Sequence, residues 1–235
     1  MKSNTTEEQE LSRKLDRQHN SIAHVGIVGC GWLGTALATT LINKGTSVIA
    51  TRSSAENCLD LIAQGINTEV LLLPTSQVEL NQHTVFACRT IVIAITPQFR
   101  NGRVDYPDKV KQVVTAAEHN GNVNQIILLS SSAVYNGLSG DVTEDIPLDF
   151  SAEKVSLLYD AELAVLGFGN EALGRRSHVL RLSGLVGENR HPGKFLAGKS
   201  TLAVNAKAPV NLIHQEDAVG IITRLLTSKV KTGIF

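Results

Sequence analysis

The segment VGIVGCGWLG at residues 25–34 constrains the fold of this chain more than any other. An apolar run leads into Gly29, Gly31 and Gly34, spaced Gly-x-Gly-x-x-Gly, and a helical pattern follows. In a strand–turn–helix unit, the first such glycine makes a tight turn and the second lets the backbone approach a pyrophosphate. The third lets the helix pack closely on the strand. The segment therefore predicts a strand, a phosphate-binding turn and a helix; the alternative is a glycine-rich turn that holds no ligand.

The first turn of the predicted helix is expected to contribute to the same site. Free backbone N–H groups and the helix dipole attract phosphates at a helix start. Trp32 and Leu33 are therefore predicted to contact the ligand together with the glycines. Trp32 could either cover part of a cofactor or pack on a neighbouring loop, and we favour the loop.

Short apolar runs alternate with helix-like stretches along the rest of the chain. Runs rich in Val, Ile and Leu occupy residues 25–29, 47–50, 69–73, 90–95, 125–130 and 178–182. Helical patterns mark residues 33–43, 107–119, 152–166 and 217–227. Several runs are apolar throughout, as expected for strands buried on both faces of a parallel sheet. The alternation predicts an α/β fold, a doubly wound parallel sheet, in one domain over residues 21–235 after a polar, disordered tail at residues 1–20.

Composition argues against several classes of protein and site. The 235 residues carry 22 basic and 22 acidic side chains, without the basic excess of a general nucleic-acid binder. Cys30, Cys58 and Cys88 show no paired spacing, so we expect no metal site, no disulfide framework and a cytoplasmic location. No apolar run approaches the ~20 residues that span a bilayer, so no membrane association is expected.

The end of the second apolar run discriminates between dinucleotides. NAD binders usually place Asp or Glu about 20 residues after the first glycines, where it accepts hydrogen bonds from a ribose 2′-hydroxyl. Here the sequence reads VIATRSSAEN, which puts Thr51, Arg52 and Ser53 at that place. A guanidinium can grip a 2′-phosphate through two hydrogen bonds, and hydroxyls can assist it. We therefore predict that these residues bind NADP, with NAD less favoured; the alternative is that Arg52 is a solvated loop charge.

Two later motifs complete a pattern that resembles a known family. Residues 126–137 read IILLSSSAVYNG, and residues 210–222 read VNLIHQEDAVGII. With the glycine turn, and in the same order, they resemble the extended short-chain dehydrogenase/reductases, the NAD-dependent epimerase/dehydratase family. The resemblance covers roughly residues 24–235 and implies a Rossmann fold with a bound nicotinamide dinucleotide.

The resemblance also assigns roles to individual residues. Ser132, or alternatively Ser131, takes the place of the serine that polarises a substrate carbonyl. Tyr135 belongs to the same phrase and is implied to line the substrate pocket. Thr96 and Pro97, after the fourth strand, are implied neighbours of the cofactor. The alternative for the serines is that they cap the end of a strand.

The proton-transfer pair of the family is missing from this chain. Members carry Tyr-x-x-x-Lys, in which the Tyr moves a proton and the Lys lowers its pKa and holds the ribose. No tyrosine here is followed four residues later by lysine. With the family phrase aligned on Glu162, Lys154 takes the Tyr position and Leu158 the Lys position. Lys154 is therefore one candidate for proton transfer, and His191, after the sixth strand, is another.

The basic loop around His191 bears on the substrate. Arg190 and Lys194 flank it and suit an anionic substrate such as a sugar nucleotide, unless the loop is an ordinary solvated surface. The sequence thus predicts an NADP-dependent oxidoreductase or epimerase for an anionic carbonyl or sugar-type substrate, or else a non-catalytic NADP(H) sensor. The resemblance also implies a homodimer and, because the chain ends where extended members continue, a truncated C-terminal substrate lobe.

Overall fold

The computed structural model describes residues 25–193, 197 and 210–235. The predicted tail at residues 1–20 and the predicted substrate ligand Lys194 lie outside these described residues. Within them, the chain forms a seven-stranded parallel sheet in the order β3-β2-β1-β4-β5-β6-β9 and a separate parallel pair, β7 and β8. The strands are β1 Val25–Val28, β2 Val48–Arg52, β3 Thr68–Val70, β4 Thr90–Ile93, β5 Gln125–Ser131, β6 Arg176–Leu182, β7 Gly184–Val186, β8 Leu212–His214 and β9 Gly233–Ile234.

Helices cover the sheet at the places where the sequence predicts them, with two additions. The helices are α1 Trp32–Asn43, α2 Ala55–Ala63, α3 Gln77–Asn81, α4 Tyr106–Asn120, α5 Glu153–Phe168 and α6 Gln215–Thr227. The sequence patterns did not reveal α2 and α3, because these short helices bury few side chains and so show little periodicity. Their N-caps, Ser54 and Ser76, accept hydrogen bonds from backbone N–H groups and were the available local signals. Among the described helices, none is long and apolar enough to cross a membrane.

Two hydrophobic cores lie on opposite faces of the sheet. One core packs α4 and α5 against the sheet and includes Val113 and Val165. The other packs α1 and α6 and includes Leu37 and Ile222. All residues of β1 and β4 are buried, because each of these central strands has a core on both faces. The predicted doubly wound parallel sheet is confirmed.

The strand order places a crevice beside the glycine turn. β1 pairs with β2 on one side and with β4 on the other, so the chain reverses its direction of winding at β1. In open α/β sheets, ligands bind outside the carboxyl ends of the strands at such a switch point. The glycine turn follows β1 and residues 94–97 follow β4, so both face this crevice.

The predicted run at 69–73 is only partly a strand. β3 ends at Val70, and Leu71–Leu73 leave the sheet. These leucines continue past the carboxyl edge of β2 towards the same crevice, where they line a cavity described below.

Candidate functional site

The glycine turn after β1 is held in place by the end of β2. Gly29 has a φ of +84°, a conformation that glycine adopts readily and other residues rarely do. A Cβ atom at Gly29 would lie 2.7 Å from Cγ2 of Ile95 and 2.9 Å from its backbone nitrogen. The Gly29 N–H donates to Oγ1 of Thr51 at 3.2 Å, and the Cys30 N–H donates to the Thr51 carbonyl at 2.8 Å. The buried Thr51 therefore supports the tight turn and does not line either cavity described below.

The other two glycines serve different purposes. A Cβ added at Gly31 would meet only the Gly29 carbonyl oxygen, at 3.9 Å, so the space beside Gly31 is open. A Cβ added at Gly34 would lie 3.3 Å from Cγ2 of Ile27, because α1 packs closely on β1 there. Gly31 is the N-cap of α1 and supplies no side-chain acceptor to its first N–H groups. Free N–H groups beside open space are suited to phosphate oxygens.

Two cavities open on either side of this turn. The first, here called the serine cavity, has a volume of about 550 Å³ and includes Ser130–Ser132 in its wall. The second, the arginine cavity, has a volume of about 350 Å³ and includes Arg52 and Arg103. Both cavities share Gly31 and residues 94–96 as lining. A ligand with two bulky ends and a phosphate centre can therefore lie across the turn with one end in each cavity.

The arginine cavity presents only basic charges among its described lining residues. Arg52, Arg103 and Lys109 line it, together with Ser53 and residues 71–73. The Nε atom of Arg52 is buried and has no hydrogen-bond partner among the described residues. A buried donor without a partner is unfavourable by about 1–3 kcal/mol. An anion in this cavity would supply the missing acceptor.

Asp105 holds two of these basic side chains. Nε of Arg103 donates to Oδ1 of Asp105 at 3.1 Å, and Nζ of Lys109 lies 3.2 Å from Oδ2. The hydrogen bond from Arg103 lowers the pKa of Asp105 to about 2. The carboxylate is therefore ionised at neutral pH and keeps both cations oriented. The sequence reasoning missed these residues; the Asp105–Lys109 spacing predicts a helical ion pair, but not its approach to Arg52.

The three serines at the end of β5 have different environments. Ser130 is buried and donates from Oγ to Oε1 of Glu162 at 2.5 Å. Oγ of Ser131 accepts from the Ala133 N–H at 3.1 Å and caps the short helix that follows. The Ser132 hydroxyl lines the serine cavity and has no hydrogen-bond partner among the described residues. Among the described residues, Ser132 therefore leaves both the donor and the acceptor of its hydroxyl for a ligand, whereas Ser131 leaves its O–H donor.

A buried ion pair between Arg181 and Glu162 lies beside the end of β5, and Ser130 donates to its carboxylate. Arg181 and Glu162 are 3% and 0% exposed in their side chains, and their closest N–O distance is 2.7 Å. Nη1 of Arg181 donates to the Tyr135 hydroxyl at 2.9 Å, and the guanidinium lies 5.0 Å from the Tyr135 ring centroid. Tyr135, a predicted pocket residue, does not line the serine cavity; its hydroxyl is engaged by Arg181.

Trp32 and Arg190 close one side of the serine cavity. Nε1 of Trp32 donates to the Glu188 carbonyl at 3.2 Å, and the Arg190 guanidinium lies 5.1 Å from the indole ring centroid. Trp32 therefore packs on the loop after β7, as favoured from the sequence, and also lines the cavity. His191 is exposed, accepts from the Gly193 N–H at 3.0 Å and does not line either cavity.

The remaining predicted cofactor neighbours lie at the cavity walls. Leu33, Gly34, Thr96 and Pro97 line the serine cavity, and Thr96 also lines the arginine cavity. The structure therefore brings the glycine turn, Arg52, Ser53 and the end of β4 together around two adjoining cavities.

Helix α5 contributes an apolar residue, Leu158, to the wall of the serine cavity. Leu158 is 1% exposed and lines the serine cavity. Lys154, one turn earlier, is half-buried but does not line either cavity. Tyr106, the first residue of α4, lines the serine cavity and was not predicted as a site residue. No group of three or more His, Cys, Asp or Glu side chains that could hold a metal ion occurs in the described part of the chain.

Comparisons with known proteins agree with this geometry. A family model described as NADP oxidoreductase, coenzyme F420-dependent, matches residues 24–119, which include the glycine turn and the end of β2. The protein YeeZ of Escherichia coli K12 is 32% identical over 205 residues, which cover 86% of this chain and 72% of YeeZ.

Solved structures show the same fold at low sequence identity. UDP-N-acetylglucosamine 4-epimerase from Bacillus cereus superposes with a TM-score of 0.68 at 16% identity, covering 92% of this chain and 77% of that chain. The dTDP-glucose 4,6-dehydratase DesIV from Streptomyces venezuelae, solved with NAD bound, gives a TM-score of 0.70 at 15% identity, covering 90% and 74%. These likenesses show a shared Rossmann-like α/β fold.

Proposed function

This chain belongs to the family of YeeZ, and we propose from that premise that it is a protein of the extended short-chain dehydrogenase/reductase type that binds NADP(H) across the glycine turn. The pyrophosphate would lie beside Gly31, the adenosine end in the arginine cavity and the nicotinamide end in the serine cavity. The dinucleotide would then serve an oxidoreductase or epimerase reaction on an anionic carbonyl or sugar-type substrate.

The buried Nε of Arg52, which has no partner in the described part of the chain, is the observation that carries the choice of NADP over NAD. Arg52 ends β2 and lines the arginine cavity beside Ser53, at the place where a 2′-phosphate lies in NADP binders. Arg103 and Lys109 add positive charge to the same wall. No acidic side chain among the described lining residues would accept from a ribose 2′-hydroxyl, as NAD binders require.

A fluorescence titration tests this assignment directly. Trp32 is the only tryptophan of the chain and lines the serine cavity, so its emission reports ligand at the turn. We expect NADPH to bind more tightly than NADH. The Arg52→Ala variant should lose about 10–100-fold in NADPH affinity, the equivalent of one charged hydrogen-bonding group, with little change for NADH.

Arg89→Ala is the matched control for this titration. It removes the same charge from an exposed position before β4, at the opposite edge of the sheet from the cavities. It should leave both affinities unchanged. Equal affinities of the wild type for NADPH and NADH, or an equal loss of both in Arg52→Ala, would refute the NADP assignment.

The substrate class rests on the outer wall of the serine cavity. Ser132 offers a free hydroxyl that can donate to a carbonyl oxygen, and Arg190 places a positive charge on the same wall. The relatives of known activity named above act on nucleotide-linked sugars, which are anionic. We expect NADPH oxidation or epimerisation with some member of a panel of sugar nucleotides and anionic aldehydes. The Ser132→Ala variant should be slower, and the Arg190→Ala variant should show a raised KM.

A non-catalytic NADP(H) sensor is the second candidate, and Leu158 is the observation that favours it. The resemblance assigns Leu158 to the family's lysine position; this residue in the cavity wall is apolar, and neither Lys154 nor His191 lines that wall. Tight NADPH binding without turnover on the whole panel would favour the sensor. Turnover that is lost in Ser132→Ala would exclude it.

A further inference from the structure

Tyr106 carries a buried hydroxyl that the described residues leave without a hydrogen-bond partner. The residue begins α4 and is 1% exposed, with its ring 6.3 Å from that of Phe99 in an edge-on arrangement. Its hydroxyl is buried and has no hydrogen-bond partner among the described residues. Leaving such a group unpaired is unfavourable by about 1–3 kcal/mol. Phenylalanine would fill nearly the same space without that penalty, so the ligand-free fold gains nothing from the hydroxyl.

The position of Tyr106 indicates where its partner would come from. Tyr106 lines the serine cavity together with Ser130–Ser132 and Leu158. The arginine cavity and the glycine turn account for the adenosine and pyrophosphate parts of a dinucleotide. The serine cavity is left for the nicotinamide riboside, whose ribose has two hydroxyls that need partners when buried. Leu158 cannot provide one, because its side chain is apolar.

The chemistry of the group defines what it can do. Burial, with a smaller contribution from the Glu162 carboxylate, raises the pKa of Tyr106 above its usual value. The phenol is therefore neutral at physiological pH. A neutral phenol donates and accepts hydrogen bonds, but it does not act as a base.

We propose that the Tyr106 hydroxyl hydrogen-bonds the ribose hydroxyls at the nicotinamide end of the bound dinucleotide, and so positions that end in the serine cavity. This inference rests on the proposed NADP(H) function. It assigns the hydrogen bond to the ribose to Tyr106 on α4, because Leu158 on α5 is apolar and cannot make it. Tyr106 is then a cofactor-positioning residue that sequence motifs do not reveal.

Two ligands separate this inference from the proposed function. NADPH would fill both cavities, whereas adenosine 2′,5′-bisphosphate carries only the adenosine end and the 2′-phosphate. We expect Tyr106→Phe to bind NADPH about 3–10-fold more weakly, the worth of one neutral hydrogen bond, with unchanged affinity for the bisphosphate. The melting temperature of the ligand-free variant should equal or exceed that of the wild type.

Tyr159→Phe is the matched control, because Tyr159 lies on α5 beside Phe150 and outside both cavities. It should change neither affinity. Unchanged NADPH binding in Tyr106→Phe would overturn the inference and indicate that a water molecule satisfies the hydroxyl; an equal loss for both ligands would overturn it as well. If the wild type binds the bisphosphate as tightly as NADPH, the inference fails but the Arg52 site stands. If it binds neither, the proposed function fails, and the inference with it.

Discussion

The roles of Gly29 and Gly31 can be separated by placing the same methyl group at each of them and at a control position, Gly45. At Gly29, alanine would have to adopt a φ of +84° and would place its Cβ 2.7–2.9 Å from Ile95. The left-handed conformation costs roughly 1–2 kcal/mol, and overpacking typically adds about 1–3 kcal/mol. We therefore expect Gly29→Ala to lose about 2–5 kcal/mol of unfolding free energy, or about 5–15 °C in melting temperature for a chain of this size.

At Gly31 the same substitution should leave the fold intact and block the ligand. The backbone there is extended, with φ of −86°, and the added Cβ meets nothing closer than 3.9 Å. The stability change should be below about 1 kcal/mol, the scale of an N-cap substitution from glycine to alanine. The methyl group would project where the pyrophosphate approaches, so NADPH affinity should fall at least about tenfold, or 1.4 kcal/mol.

Gly45→Ala measures how much the left-handed backbone conformation alone lowers the free energy of unfolding. Gly45 has a φ of +79° and nothing within 4 Å of an added Cβ, so only the left-handed conformation is penalised. Thermal unfolding and Trp32 fluorescence titration of the three variants give all the required values. The reasoning is refuted if Gly31→Ala binds NADPH like the wild type, or if Gly29→Ala is no less stable than Gly45→Ala.

Three further outcomes concern individual charged or titratable side chains. Glu162→Met should destabilise the protein by about 3–5 kcal/mol in urea unfolding, because it leaves the Arg181 charge buried without its partner. The double variant with Arg181→Met should lose less unfolding free energy than the Glu162 variant alone. A larger loss in the double variant would contradict this account. His178 is fully buried, and burial lowers its pKa from its usual value of 6.5. Below that pH the unfolded chain therefore binds more protons than the folded chain. The free energy of unfolding should be full above about pH 6.5 and fall as the pH decreases through the folded pKa. His178→Gln should flatten this part of the stability profile, and an unchanged slope would assign it to other groups. Arg190→Ala should change stability by less than about 1 kcal/mol, because its contact with Trp32 is exposed, and a larger change in the melting temperature would show that the loop after β7 depends on it.

Local patterns along the sequence were enough to predict the sheet and the part of the candidate site formed by the glycine turn and the end of β2. Uninterrupted apolar runs predict central parallel strands, since both faces of such strands are covered, and β1 and β4 are indeed buried throughout. The three glycines predict the turn because each has a backbone requirement that is visible at its own position. Arg52 could be predicted because its distance from the turn along the chain is set by one strand–helix–strand unit.

The other residues of the candidate site come from segments that are distant along the chain. Only the tertiary structure decides that these segments lie next to one another. Leu71–Leu73 after β3, Arg103 in the loop before α4 and Lys109 in α4 line the same cavity as Arg52, because the carboxyl ends of the parallel strands meet at one edge. Tyr106 reads as an ordinary helix start in the sequence, and it becomes a site residue only because α4 begins at the serine cavity. Periodicity reports which face of an element is buried, but the cavity that a side chain reaches is set by the packing of neighbouring elements.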